Sequence, residues 1–239
     1  MSDSSPRDAS DVPAALSLDR GWAIGETAFA RIVDVLRSID PARILEYGSG
    51  PSSIRLAQAF PDAQVVSVEG SREFYEEAQA LRQRWGVEDQ LTVLHLPLAY
   101  DWYGPSRIQS YRRYDHTHTF DAVIVDGPPH WTLRGREACL YQMYDHVPTG
   151  GVVILDDVSR IDEQQMLKNW LATYPDSFQA DIEPVNDHLA ILRKVAHVRP
   201  HWFALPRVID NLLANLRHVR PKVSGALPDP LRTLLRRLR

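Results

Sequence analysis

The chain has 239 residues, of which 44% are hydrophobic and one is cysteine, and its formal net charge is −4 at pH 7. This length and composition allow one sizeable core, so we expect a single catalytic domain with peripheral additions. The lone cysteine excludes an intramolecular disulfide and fits a reducing compartment, and no apolar run reaches the length of a membrane span. The polar residues 1–11 resemble neither a signal peptide nor a transit peptide, so we expect a cytoplasmic protein.

Charge is distributed unevenly along the chain. Residues 196–239 contain nine Lys or Arg and two Asp, or +7, which leaves 18 basic and 29 acidic residues, or −11, for residues 1–195. An acidic body does not suit nucleic acid, whose phosphates need a Lys/Arg surface. We therefore expect no nucleic-acid partner. The predicted divisions are a flexible N-terminus at 1–20, a catalytic domain at 21–195 and a basic extension at 196–239.

Helices and strands alternate along the catalytic domain. Apolar residues at helical spacing predict a first helix at 29–39, which Asp40 and Pro41 end. The predicted strands are 43–47, 65–68, 91–96, 120–126, 151–156, 178–182 and 188–195. The predicted helices between them are 52–60, 72–85, 135–146 and 163–174. With the last two strands joined by a turn at 186–187, this order predicts an α/β fold with a seven-stranded, doubly wound, Rossmann-like sheet.

A glycine-rich turn at 48–50 connects the first strand to the following helix. Gly48 and Gly50 let the backbone turn tightly and approach a ligand, and Glu69, at the end of the next strand, can accept hydrogen bonds from both hydroxyls of a ribose. The third glycine of a dinucleotide fingerprint is absent, so the turn suits S-adenosylmethionine better than a pyrophosphate. The expected cofactor-binding residues are Glu46, Gly48, Ser49, Gly50, Glu69, Gly70 and Asp126.

Residues 25–194 resemble the S-adenosylmethionine-dependent O-methyltransferases of the catechol O-methyltransferase type, which are class I methyltransferases. The matching residues are Gly25-Glu26, Glu46-x-Gly48-x-Gly50, Glu69, Asp126, Gly150-Gly151 and Leu155-Asp156-Asp157. The resemblance implies a magnesium ion held by Asp126, Asp156 and Asp157, although the third position is usually Asn in that family.

Three carboxylates lie at the ends of the predicted fourth and fifth strands, whose carboxyl ends face the crevice where ligands bind. Asp126, Asp156 and Asp157 have no Lys or Arg adjacent in sequence, so they would repel one another unless a hard cation lay between them. An oxygen-rich cluster of this kind suits magnesium. The alternative is that Asp126 orients the cofactor's ammonium group or the substrate, while Asp157 caps the helix that follows.

The catalytic base must differ from that of the catechol type. That family has a Lys three residues after the first Asp, which takes the proton of the attacking hydroxyl, and this chain has Pro129 there. His130 is the first candidate, because an imidazole with a pKa of about 6.5 can accept a proton near neutral pH. His116 and His118 are competing candidates, and Asp126 could serve as base if no metal binds.

An insertion at 99–119, between the third and fourth strands, concentrates aromatic, Arg and His residues. We expect a long loop that forms a lid or substrate wall, with a dimer contact as the alternative. Arg136 and Arg160 lie in segments similar to a more distant branch of methyltransferases that act on uronic acid hydroxyls, and either could pair with a substrate carboxylate. The expected substrate-contacting residues are Tyr100, Trp102, Tyr103, His116, Arg136 and Arg160.

The extension at 196–239 has apolar residues at helical spacing within 205–216 and 231–238, beside several Arg, which predicts two basic amphipathic helices. We expect them to dock on the acidic body or to form a homodimer. Peripheral contact with a partner or an anionic membrane surface is the alternative.

These patterns predict an O-methyltransferase that acts on a hydroxyl of a small polar metabolite or sugar. The run Asp-Gly-Pro-Pro-His-Trp at 126–131 is similar in composition to the Asp-Pro-Pro-Tyr loop of amino methyltransferases, so N-methylation remains an alternative. A nicotinamide-dependent dehydrogenase and a non-catalytic scaffold that binds S-adenosylmethionine are the alternatives from other classes.

Overall fold

The structure, a computed structural model, describes residues 16–18, 24–185 and 188–203. Its strands are β1 (Arg43–Tyr47), β2 (Gln64–Glu69), β3 (Leu91–His95), β4 (Leu98–Tyr103), β5 (Ser106–Tyr111), β6 (Ala122–Val125), β7 (Val152–Leu155), β8 (Phe178–Glu183) and β9 (Leu189–Lys194). Its α-helices are α1 (Glu26–Arg37), α2 (Pro51–Ala59), α3 (Arg72–Arg84), α4 (Gly135–Met143) and α5 (Ile161–Thr173). Among the described residues, 3₁₀ turns also lie at His130–Thr132 and Tyr144–His146.

Seven of the strands form one sheet in the order β3-β2-β1-β6-β7-β9-β8. The pairs from β3 through β7 are parallel, and β9 is antiparallel to both of its neighbours. The predicted seven-stranded, doubly wound sheet is therefore confirmed. The strand order reverses between β1 and β6, and ligands of open α/β sheets bind at such a switch point, outside the carboxyl ends of the strands.

The sheet separates two apolar cores because successive strand residues point to opposite faces. Ile44 of β1 packs in the first core with Ile54 of α2, whereas Leu45 packs in the second with Leu140 of α4 and Trp170 of α5. Strands β6 and β7 are buried along their whole length and consist entirely of Ala, Val, Ile and Leu. Such runs are typical of parallel strands that are covered on both faces.

The predicted loop at 99–119 is wrong for its first half, where β4 and β5 form an antiparallel hairpin. The hairpin is in register from Leu98 opposite Tyr111 to Tyr103 opposite Ser106. Its inner face packs on α4, while its outer face carries exposed aromatic side chains.

The body extends past both predicted domain boundaries. Leu16 and Leu18 are buried in the first core, so the predicted flexible segment at 1–20 is wrong at these two positions. At the other end, residues 196–203 are not helical. The main-chain N–H of Val198 donates to Tyr144 Oη at 2.8 Å, which ties this segment to the body.

The predicted amphipathic helices within 205–238 and the predicted turn at 186–187 lie outside the described residues. Within the described ranges, none of the helices has the length and apolar character needed to cross a membrane.

Candidate active site

The glycine-rich turn lies at the carboxyl end of β1. Gly48 has a φ of 106°, and a Cβ there would lie 3.3 Å from the backbone N of Gly127, so backbone conformation and close approach both favour glycine. A Cβ on Gly50 would meet nothing within 4 Å, which leaves open space above the turn. Pro51 then begins α2, where its missing N–H costs no helical hydrogen bond.

Glu69 ends β2 beside this turn. Its Oε1 accepts a hydrogen bond from the N–H of Ser71 at 2.7 Å, and its Oε2 accepts one from the N–H of Ser49 at 3.4 Å. The half-buried carboxylate therefore lies between the glycine-rich turn and the start of α3, as the predicted ribose contact requires. Gly70 lies against the hairpin, since a Cβ there would be 3.2 Å from Tyr111.

Glu46 lies beneath the turn rather than at its surface. Its carboxylate is fully buried and accepts hydrogen bonds from the hydroxyls of Ser52 at 2.7 Å, Ser53, and Ser67 at 3.3 Å. Burial raises the pKa of Glu46 to about 7, while the three serine hydrogen bonds act in the opposite direction. The predicted direct cofactor contact of Glu46 does not fit this position, and its carboxylate instead supports the turn from below.

Asp126, Asp156 and Asp157 converge, as predicted. One carboxylate oxygen from each lies within 4.8 Å of the other two. Burial raises the pKa of Asp126 well above its usual range, although the nearby Arg136 acts in the opposite direction. Burial and the neighbouring Asp157 raise the pKa of Asp156 to about 6. Asp157 has a φ of 65°, in the left-handed region that Asp tolerates better than most residues. Its side chain does not cap α5, so the alternative role as a helix cap is wrong.

Arg136 lies within this acidic cluster and pairs with carboxylates of the chain itself, and its contact with substrate remains a prediction. Its guanidinium is buried, with Nη1 at 2.9 Å from Asp157 Oδ2 and Nη2 at 3.4 Å from Asp126 Oδ1. Nε donates to the carbonyl oxygen of Pro128 at 3.3 Å. The expectation that these carboxylates would repel one another unless a hard cation lay between them is therefore incomplete, because α4 brings Arg136, which is distant in sequence, to Asp126 and Asp157.

Arg160 occupies the outer side of the same cluster. Its Nη1 lies 2.7 Å from Asp157 Oδ2 and 3.8 Å from Glu163 Oε1, and 43% of its side chain is exposed. Glu163 also belongs to the acidic cluster. The sequence does not predict this, because a glutamate in the first turn of a helix is commonly solvated. Here its side chain is 2% exposed and lies 4.0 Å from Arg136.

A cavity of about 350 Å³ borders the cluster on this outer side. It is lined by His130, Arg160, Ile161, Asp162 and Glu163. His130, the predicted base, is exposed in the 3₁₀ turn that follows Asp126, and its catalytic role remains a prediction.

The predicted residues of the insertion separate into two groups. Tyr100 and Trp102 are 59% and 62% exposed on the outer face of the hairpin, on the same side as Tyr111. Tyr103 points the other way, where its hydroxyl accepts a hydrogen bond from Gln142 at 2.7 Å. Tyr103 is buried against α4, so its predicted contact with substrate does not fit.

His116 and His118 lie at the opposite edge of the sheet. The His116 ring is buried against Phe120 and His146, beside the amino end of β6. Burial and the neighbouring His146 lower the pKa of His116 to about 4. The carbonyl oxygen of His118 is 3.2 Å from His146 Nδ1. Neither histidine lies near the acidic cluster, so the predicted roles of His116 in substrate contact and of both histidines as base are wrong.

No family model matches this sequence. Among solved structures, the methyltransferase PaMTH1 of Podospora anserina, bound to S-adenosylhomocysteine, is similar with a TM-score of 0.59 and 16% identity, over 77% of this chain and 89% of that one. The O-methyltransferase TomG of Streptomyces achromogenes, bound to S-adenosylmethionine, has a TM-score of 0.55 and 21% identity, over 73% of this chain and 82% of that one. A putative caffeoyl-CoA O-methyltransferase of Staphylococcus aureus has a TM-score of 0.52 and 16% identity, over 72% of this chain and 84% of that one. The chain has the class I methyltransferase fold, as predicted.

Proposed function

We propose that the protein is an S-adenosylmethionine-dependent O-methyltransferase that acts, with magnesium, on a hydroxyl of a small polar metabolite or sugar. The supporting observation is that the glycine-rich turn adjoins the acidic cluster. A Cβ on Gly48 would lie 3.3 Å from Gly127 N and 3.5 Å from Asp126 C. A methyl donor on the turn and an acceptor on the carboxylates would therefore meet at one edge of the sheet.

The cofactor assignment is supported by Glu69 and by the open space at Gly50. A carboxylate that already accepts two main-chain N–H groups is held in place to receive the two ribose hydroxyls. PaMTH1 and TomG carry S-adenosylhomocysteine and S-adenosylmethionine in structures of the same fold. The same family of ligands suits a turn that lacks the third glycine of a dinucleotide site.

The residues of the acidic cluster fit a divalent cation. Four carboxylates and two guanidinium groups lie together, which leaves a formal charge of −2 when all are ionised. Arg136 and Arg160 contact Oδ1 of Asp126 and Oδ2 of Asp157, so each carboxylate has a second oxygen for a cation. Magnesium held there by Asp126, Asp156 and Asp157 would lower the pKa of an acceptor hydroxyl and orient it.

The chain's own residues would align the reactants and remove one proton. The acceptor oxygen attacks the methyl carbon in line with the carbon–sulfur bond, which breaks to leave neutral S-adenosylhomocysteine. His130, at the wall of the cavity, would accept the hydroxyl proton. Tyr100 and Trp102 offer exposed aromatic faces on the hairpin for a ring-shaped acceptor.

The test is methyl transfer from S-adenosylmethionine labelled in the methyl group to a panel of catechols, sugars, sugar acids and amines. We expect label on oxygen, loss of transfer in EDTA, and recovery with Mg²⁺ or Mn²⁺. Label on nitrogen would replace the proposal with N-methylation, and full transfer in EDTA would remove the metal. Binding of S-adenosylhomocysteine without any transfer would favour a scaffold. Thermal protection by NAD instead of S-adenosylhomocysteine would favour a dehydrogenase.

A further inference from the structure

Arg136 connects three separate segments of the chain at the acidic cluster. It reaches the loop after β6 through Asp126 and through the carbonyl oxygen of Pro128, at 3.4 and 3.3 Å. It reaches the loop after β7 through Asp157 and through the carbonyl oxygen of Asp156, at 2.9 and 3.3 Å. On the third side, Glu163 at the start of α5 is 4.0 Å away. One buried guanidinium therefore spans the ends of two neighbouring strands.

The preceding residue allows this placement. A Cβ on Gly135 would lie 2.2 Å from Thr132 Oγ1, 2.4 Å from Pro128 Cγ and 2.9 Å from the carbonyl oxygen of Gln109. Only glycine lets α4 begin this close to the loop after β6. Because α4 begins there, Arg136 in its first turn enters the gap between the two loops rather than solvent.

We propose that Arg136 is a positioning residue that sets the spacing of Asp126 and Asp157, and so the geometry of the cluster that receives the cation and acceptor. This inference rests on the proposed function of that cluster. A planar guanidinium with several N–H donors in fixed directions suits such a bridge, whereas a Lys ammonium is a single point charge. Arg136 also counters the mutual repulsion of the carboxylates before a cation arrives.

The experiment compares Arg136→Lys with the wild-type protein, using Mn²⁺ alone and S-adenosylhomocysteine alone as calorimetric probes. Lys keeps the charge but cannot bridge both loops. We expect Mn²⁺ affinity to fall about ten- to a hundred-fold, because the lost contacts orient predicted cation ligands. S-adenosylhomocysteine affinity should change by less than about two-fold, because Arg136 contacts neither the glycine-rich turn nor Glu69 in the described part of the chain. Hydrogen exchange of the ligand-free protein should rise in peptides covering 126–133 and 156–160.

Arg134→Lys is the matched control. Arg134 directly precedes α4 and pairs with buried Glu137 at 2.5 and 2.7 Å, so the variant also weakens a buried ion pair at the start of the same helix. It contacts none of the three aspartates in the described part of the chain. We expect Arg134→Lys to lower the melting temperature without changing Mn²⁺ affinity or raising exchange at 156–160.

The outcomes separate this inference from the proposed function. If hydrogen exchange at both loops of Arg136→Lys stays at the wild-type rate, Arg136 does not have the positioning role. The same conclusion follows if Arg134→Lys shows the same rise in hydrogen exchange. If the wild type itself fails to bind Mn²⁺, the metal part of the proposed function fails, while the exchange comparison still decides the role of Arg136. If Arg136→Lys does not fold, Gly135→Ala displaces the same guanidinium without removing it, and should raise exchange at the same two loops. Unchanged exchange there would likewise contradict the proposal.

Discussion

The two halves of the candidate site are held together by different interactions. At the ends of β1 and β2, hydroxyl and main-chain N–H groups surround the carboxylates of Glu46 and Glu69, with no Arg or Lys hydrogen-bonded to either in the described residues. At the ends of β6 and β7, the carboxylates of Asp126 and Asp157 are bound by guanidinium groups from α4 and the start of α5. The first half, here called the cofactor half, has neutral hydrogen-bond donors around its carboxylates. The second, here called the acidic half, is a network of ion pairs.

This difference corresponds to the two tasks that we propose. A ribose needs a carboxylate that is fixed but still able to accept hydrogen bonds, which N–H donors provide without cancelling its charge. A cation needs several carboxylates close together. Because ionised carboxylates repel one another, positively charged groups nearby are needed to keep them together before the cation binds. Variants that act on one half and leave the other unchanged test this division.

The largest effect is expected for Asp156→Asn. Asp156 is a buried member of the acidic cluster, and its replacement removes a predicted cation ligand while keeping the shape of the side chain. Loss of Lewis-acid assistance worth ~3–4 kcal/mol corresponds to roughly a 10²- to 10³-fold lower kcat. Calorimetry should show weaker Mn²⁺ binding and unchanged S-adenosylhomocysteine binding.

Asp34→Asn, on the exposed side of α1, is the control for Asp156→Asn and should retain wild-type values. A variant Asp156→Asn that turns over at the wild-type rate, with Mn²⁺ affinity intact, would remove the cation from the acidic cluster. Parallel losses of Mn²⁺ and S-adenosylhomocysteine binding would instead show that the two halves are not separable.

Glu69→Ala should have a smaller effect, confined to the cofactor half. The variant removes a charge-assisted acceptor from the ribose hydroxyls, which costs roughly 1.5–3 kcal/mol, or about ten- to a hundred-fold in S-adenosylhomocysteine affinity. Mn²⁺ affinity should not change. Glu73→Ala, an exposed glutamate in the first turn of α3, is the matched control. Wild-type S-adenosylhomocysteine affinity in Glu69→Ala would place the cofactor elsewhere.

The sequence predicted the cofactor half more completely than the acidic half. Gly48 and Glu69 are recognisable because a strand, a tight turn and a second strand end follow one another within a short stretch of chain. The three aspartates were also predictable, since they follow apolar runs that become adjacent parallel strands. Arg136 was not, because its position depends on how closely α4 packs against the loop after β6, which is a tertiary property of Gly135 and its neighbours.

Sequence reasoning failed in a similar way for the aromatic and histidine candidates. The sequence predicts one loop above the site for residues 99–119. Instead, the hairpin turns Tyr103 towards α4, and the chain then places His116 at the amino edge of the sheet. Residue type alone does not indicate which face or edge a side chain occupies. Tyr100 and Trp102 remain candidates for substrate contact because, unlike Tyr103, they lie on the exposed outer face of the hairpin.

The smallest effect on ligand binding and turnover is expected for Glu46→Gln, which should differ from the wild type mainly in how its stability depends on pH. The Glu46 carboxyl has an ordinary pKa of 4.5, and burial raises its pKa to about 7 in the folded protein. Below pH 4.5 the group is protonated in both folded and unfolded chains and costs no stability. Between pH 4.5 and 7 the unfolded chain releases this proton while the folded protein still binds it, so stability falls as pH rises through this window, and the loss is complete above pH 7.

Gln cannot ionise, so Glu46→Gln should escape this loss. Urea unfolding should show the stability of the variant rising relative to wild type between pH 4.5 and 7 and levelling off above pH 7, by on the order of 3 kcal/mol. Glu77→Gln, exposed on α3, is the control and should follow the wild-type profile. If the difference between Glu46→Gln and wild type instead stays constant with pH, Glu46 keeps its charge beneath the turn. The serine hydroxyls would then fully compensate its burial, and the cofactor half would contain a buried charge like those of the acidic half.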